Sequence, residues 1–211
     1  MEQKTALSGC SFGILGDSYS TFRGYIPEGQ ECYYPSANVE DVLQVEDTWW
    51  HQLMQKYDMR LLVNDSYSGA TVCTNTREGQ PLFSAFTERV RISFSDDRKL
   101  DYIFLFGGTN DAWLKRDVGQ IKFSEWTEED LFQVLPAYCF TLAYLIKHNP
   151  KTKVVAVLNT GLSPELQAGM LAAVEHYGAK AVVLQNIDKQ HGHPTALGMR
   201  QIAEQIEAAM L

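Results

Sequence analysis

Three things are scarce in this chain of 211 residues. Cysteine is the first. The four present, Cys10, Cys32, Cys73 and Cys139, are scattered and form no Cys-x-x-Cys pair. A disulfide framework or a thiolate zinc site is therefore not expected, and the thiols read as reduced residues of a cytoplasmic protein. Positive charge is the second: 18 Lys and Arg stand against 26 Asp and Glu, a net charge of -8. A nucleic acid or an anionic membrane calls for a basic face, so neither partner is expected. Long apolar runs are the third. No segment approaches the roughly 20 residues of a membrane-spanning helix, and no secretory leader is visible. Phosphate loops of the Gly-x-x-x-x-Gly-Lys type are missing, as are Gly-x-Gly-x-x-Gly after the first strand and His-Glu-x-x-His. No metal and no cofactor is expected on that basis.

What is present suits a substantial core: 45% of the residues are apolar and 21% charged, ordinary values for a globular chain. The length suits one domain over 1–211. Five short runs rich in branched aliphatics, at 12–15, 60–63, 102–106, 154–158 and 181–184, alternate with helical patterns. Continuous apolar runs fit strands covered on both faces. Alternation of strands with helices implies parallel pairing, and so a three-layer α/β/α sandwich with a five-stranded parallel sheet. Met199, Ile202, Ala203, Ile206 and Met210 share one face of a last helix. Ser163-Pro164-Glu165 reads as N-cap, first-turn proline and first-turn acid. Thr127 to Asp130 reads as a capping-box variant ahead of Leu131, Val134 and Leu135, with Pro136 expected to kink or divide that helix. Segments 23–46 and 113–126 are too irregular for simple crossovers. Each follows a motif-bearing strand end and is expected to line a site.

The chemistry-bearing residues sit just beyond those strands. Gly16-Asp17-Ser18 follows the first, Asn64-Asp65-Ser66-Tyr67-Ser68-Gly69 the second, and Gly107-Gly108-Thr109-Asn110-Asp111 the third. Gly192-His193-Pro194 precedes the last helix. Each has a plain reading as a turn or a cap: Ser18 as an N-cap, Asn110 or Asp111 as a helix start. Together they have a chemical one. A serine hydroxyl needs an imidazole to take its proton, and an α/β fold gathers its loops on one sheet edge. The N–H groups of Ser18 and Gly69 and the Asn110 amide would then face a developing oxyanion.

These four segments, in this order, resemble the SGNH (GDSL-type) hydrolases, and Gly108-Thr109-Asn110-Asp111 fits that family's Gly-x-Asn-Asp in full. The resemblance implies the flavodoxin-like SGNH fold and an esterase or acylhydrolase acting on a small-molecule ester. Ser18 would be nucleophile and His193 base, with Ser18, Gly69 and Asn110 as the oxyanion hole. The family's acid stands three residues before the His, where this chain has Gln190. Asp188 is the nearest carboxylate and is expected to orient the imidazole, with Gln190, by side chain or carbonyl, as the alternative. The loop aromatics Tyr33, Tyr34, Trp113 and Trp126 are candidates for stacking on a sugar-like substrate, or for loop packing. Acetyl is the acyl group expected.

Overall fold

All five apolar runs are strands, and they lie side by side. In the computed structural model, which describes residues 6–74, 84–96 and 98–211, β1 (Ser11–Gly16), β2 (Arg60–Ser66), β3 (Tyr102–Phe106), β4 (Lys153–Leu158) and β5 (Lys180–Val183) pair in the order β2-β1-β3-β4-β5. Every pairing is parallel. The flavodoxin-like order reverses direction between β1 and β3, and open sheets of this kind bind ligands at the carboxyl ends flanking that reversal.

Side-chain alternation divides the core in two. Leu15, Ile103, Leu105, Ala156 and Leu158 point to one face, where Phe86 and Val90 of α2 (Phe86–Ser93), Leu142 of α4 (Val134–His148) and Met170 of α5 (Pro164–His176) cover them. Ile14, Phe104, Phe106, Val155 and Val157 point to the other, beneath Trp49 and Leu53 of α1 (Trp49–Tyr57) and Ile202 of α6 (Ala196–Met210). The expected three layers are thus observed. Among the described residues, no helix is long and apolar enough to cross a membrane.

Two local expectations fail for identifiable reasons. Pro136 neither kinks nor divides α4, because the helix begins at Val134. A first-turn residue has no intrahelical acceptor for its N–H, so proline loses nothing there. Thr127 and Asp130 do bond one another, Thr127 Oγ1 to Asp130 Oδ2 at 2.9 Å, but they open a short 3-10 turn ahead of α4 rather than an α-helix. The four cysteines are free thiols.

Candidate active site

Strand register places the motif residues at one edge. Gly16 is the partner of Ser66 on β2 and of Phe106 on β3, so the residues that follow all three strands emerge together. Asp17 N–H donates to the Phe106 carbonyl at 3.2 Å and Tyr67 N–H to the Gly16 carbonyl at 3.2 Å, locking the exits to one another. Asp17 caps a single 3-10 turn, Ser18–Ser20, by accepting from Tyr19 N–H at 3.0 Å. Ser18 is therefore held at the floor of the edge, only 2% exposed.

The base arrives from the other end of the chain on a hairpin. β6 (Lys189–Gln190) and β7 (His193–Pro194) are antiparallel, with Gln190 opposite His193. The two-residue loop between them, His191 (φ 50°) and Gly192 (φ 81°), has both residues left-handed, as a tight type I′ hairpin requires. A side chain at Gly192 would also strike the Trp113 ring, 3.0 Å from where its Cβ would lie. The hairpin sets His193 Nε2 3.0 Å from Ser18 Oγ. His193 Nδ1 faces the His191 carbonyl at 3.3 Å. A carbonyl only accepts, so Nδ1 carries the proton and Nε2 is left to accept from the serine.

Three donors converge on the same edge. The N–H groups of Ser18 and Gly69 have no acceptor among the described residues. Asn110, in α3 (Thr109–Trp113), donates one amide hydrogen to the Ala70 carbonyl at 2.9 Å, which ties α3 to the loop after β2 and leaves the other hydrogen free. The Asp111 carboxylate accepts from Val72 N–H at 2.8 Å and Cys73 N–H at 3.2 Å, bracing the same loop from below. A nucleophile, a correctly tautomerised base and unspent donors in one place can carry out acyl transfer.

The family profile of the GDSL-like lipase/acylhydrolases matches residues 10–210. The chain belongs to that family. As a GDSL-like hydrolase it is an enzyme of the esterase and lipase type. Similar solved structures include a protein assigned as a GDSL-like lipase from Bacteroides ovatus, 38% identical, with a TM-score of 0.87 over 95% of this chain and 97% of that one. A second, from Bacteroides uniformis and likewise assigned, is 35% identical, with a TM-score of 0.87 over 95% and 94%. A carbohydrate esterase at 15% identity, with a TM-score of 0.57 over 98% of this chain and 69% of that one, shares the fold. Among curated proteins, no match is found.

Not every expected residue of this hydrolase stands where the sequence suggested. The Asp188 carboxylate does not face His193. It accepts from the Thr195 hydroxyl, while the Asp188 carbonyl takes Thr195 N–H at 3.2 Å. Hairpin register is the reason: Gln190 pairs with His193 and Lys189 with Pro194, so Asp188 falls opposite Thr195. Asp188 belongs to the hairpin–helix junction, where α6 passes so close that a Cβ on Gly198 would lie 2.0 Å from the Asp188 carbonyl oxygen. The atom at Nδ1 is a main-chain oxygen, from His191 rather than Gln190.

The aromatics are also redistributed. Tyr34 is 1% exposed and donates through its hydroxyl to the Pro194 carbonyl at 2.7 Å, so its ring is closed to a substrate. Tyr33 lies flat on the imidazole, ring centres 3.6 Å apart and planes 8° from parallel. Trp126 packs edge-on against Phe140 and bonds the Lys122 carbonyl through its ring N–H at 2.7 Å. Trp113 alone of the four keeps both roles, 51% exposed and edge-on to His193 at 5.6 Å.

Several residues at the edge carried no signal in the sequence. Tyr19, directly after the serine, donates through its hydroxyl to the Gly192 carbonyl, so Tyr19 and Tyr34 hold the backbone on both sides of His193. Arg89 lies buried beneath the turn that carries Ser18. It pairs with Asp65 at 3.1 Å and donates to the Gly16 carbonyl at 2.9 Å. A Gly-x-Ser-x-Gly string at Gly9 to Gly13 has no part in the site: Ser11 begins β1 at the opposite edge, with its hydroxyl on Asp101 at 2.9 Å. A cavity of about 470 Å3, lined by Tyr102, Lys153, Tyr177 and Lys180, opens at that opposite edge and touches none of the site residues.

The electrostatics favour a neutral base. Burial lowers the His193 pKa to about 4; the His191 carbonyl opposes this, and the nearby Lys189 cation adds to it. Asp17 moves the other way: complete burial raises it to about 7, and its Oδ2 has no hydrogen-bond partner among the described residues.

Proposed function

We propose that this chain is a serine esterase that cleaves small acyl esters, acetyl foremost, through a Ser18–His193 dyad. The observation that carries the reading is the 3.0 Å contact between Ser18 Oγ and His193 Nε2. His193 takes the Ser18 proton as the hydroxyl oxygen attacks the ester carbonyl. The tetrahedral oxyanion is received by the N–H groups of Ser18 and Gly69 and the free Asn110 amide hydrogen. His193 then protonates the leaving alcohol, and in the second half activates the water that releases the acid from Ser18. The carbonyl of His191 holds the tautomer and takes the role an acid would have. The depth of Ser18, 2% exposed, supports a small acyl group, and the half-exposed Trp113 supports a sugar-like alcohol.

The test is hydrolysis of p-nitrophenyl acetate against the octanoate. The acetate is expected to be the better substrate, and Ser18→Ala to lose about 10⁴-fold or more in kcat. Equal rates on the octanoate would refute the acetyl preference; retained activity in Ser18→Ala would refute the mechanism. A second reading is favoured by one observation, the lack of any carboxylate at Nδ1 among the described residues: a catalytically weak module that binds carbohydrate or lipid. Sugar binding without labelling of Ser18 by a fluorophosphonate would select it.

A further inference from the structure

Of the described lysines, two are partly buried rather than exposed, Lys122 and Lys189. Lys122 pairs with Asp130 at 2.6 Å. Lys189 has no carboxylate within ion-pair distance among the described residues. Its ammonium donates to two neutral oxygens, Thr160 Oγ1 at 2.6 Å and Asn159 Oδ1 at 3.2 Å. It also lies 5.4 Å from the centre of the Tyr19 ring. An ammonium carries three hydrogens, so one is left without a protein acceptor among the described residues. Half-burying a cation with no directly bonded opposing charge is unfavourable. Asp17 attracts it only from a distance, and this chain has acids in excess.

The position is informative. Thr160 and Asn159 follow β4, at the same sheet edge as Ser18 and Asn110, and Asn159 in turn donates to Thr109 Oγ1 at 2.8 Å. Lys189 is on the hairpin strand that pairs with His193. The oxyanion donors Gly69 and Asn110 follow β2 and β3, whereas Lys189 stands toward β4, on the base's side. The base must reach the oxygen of the departing alcohol, so the alcohol portion of an ester lies on that side.

We infer that Lys189 is the recognition point for an anionic group, such as a carboxylate, on the alcohol portion of the substrate. This rests on the esterase reading and narrows it to esters of acidic alcohols, such as acetylated acidic sugars. Asp17 attracts the ammonium only from beyond hydrogen-bond reach; a substrate carboxylate would supply the directly bonded counter-charge. Asn159 and Thr160 fix the ammonium from the sheet side, so the anion meets an already oriented donor.

The experiment compares 4-acetoxybenzoate and 3-acetoxybenzoate with their neutral methyl esters, in the wild type, Lys189→Met and Lys189→Arg, at pH 8 and low salt. The wild-type ratio of kcat/KM, acid over methyl ester, is expected to exceed that of Lys189→Met by about tenfold or more, as loss of one charge-assisted hydrogen bond implies. Lys189→Arg should keep most of it, and added salt should shrink it. A ratio unchanged in Lys189→Met, with methyl esters still hydrolysed, overturns the inference and leaves the esterase reading standing. Calorimetric binding of 4-hydroxybenzoate tests the site without turnover. Binding weakened about tenfold in Lys189→Met supports the anion site even where no ester is cleaved, and equal binding overturns it.

Discussion

The two halves of the proposed dyad are held by opposite means. Around Ser18 the support is charged and buried. The Arg89–Asp65 pair is nearly inaccessible, 2% and 1% exposed, and Arg89 grips the carbonyl of Gly16, two residues before the nucleophile. Asp111 fixes the loop that carries Gly69. Around His193 the support is aromatic. Tyr33 covers the imidazole face, Tyr19 and Tyr34 bond the flanking carbonyls, and among the described residues no carboxylate touches the ring. The difference follows from what each half must do. An oxyanion hole is a matter of main-chain position to a few tenths of an ångström, and charged hydrogen bonds set such positions. A base needs its ring plane set and its proton on the correct nitrogen. Flat contacts and one carbonyl achieve that without charge.

Four substitutions probe this contrast, the largest effect first. Asn110→Ala, on the charged side, should lower kcat by about 10²- to 10³-fold with the fold intact, as measured on p-nitrophenyl acetate. Arg89→Met leaves Asp65 buried without its partner. It should lower unfolding free energy by about 3–5 kcal/mol in urea titrations, and a loss under 1 kcal/mol would remove the pair from the account. Tyr33→Leu, on the aromatic side, should reduce kcat/KM by about fivefold, in line with an aromatic contact of roughly 1 kcal/mol, and lower stability by no more than about that amount. Asp188→Asn should change kcat/KM by less than about threefold, since its carboxylate serves only a surface junction. A thousandfold loss there would restore Asp188 to the triad.

The pH profile sharpens the same contrast. The groups facing the His193 ring are Ser18, Tyr19, Tyr33, Tyr34, Trp113, the His191 carbonyl and the Lys189 cation. With its pKa lowered to about 4, chiefly by burial, kcat/KM should rise as pH climbs through about 4 and stay flat to neutrality. In Tyr33→Leu, water reaches the ring and the midpoint should move up toward the ordinary value near 6.5. Stability is linked with a definite sign. Between about 4 and about 6.5 the unfolded histidine binds a proton that the folded one refuses, so its contribution is full above that window and lost as pH falls through it. Asp17 opposes it. Its folded pKa of about 7 makes its contribution largest at low pH and lost as pH rises. Asp17→Asn should therefore steepen the loss of stability on acidification from pH 6.5 to 4.

The sequence disclosed what depends on short-range pattern. Buried parallel strands need continuous apolar runs, so all five were visible, along with the turns beyond them. What it hid depends on register and on distant backbone. Asp188 looked close enough to serve His193 until the two-residue turn at His191 and Gly192 set which residues face each other. Tyr34 looked like a loop aromatic, and only the folded 23–46 segment buries it under Pro194. Arg89 looked like one more arginine on a short helix. Its partners include the carbonyls of Gly16 and Ser84, which no side-chain pattern records.

The five-residue helix α3 has a mechanical consequence. Asn110 and Trp113 are one helical turn apart on it, the first tied to the Ala70 carbonyl and the second wedged against Gly192. Any tilt of that one turn displaces both together. In the proposed mechanism, a shift of α3 would therefore disturb the oxyanion donor Asn110 and the packing beside His193 at the same time.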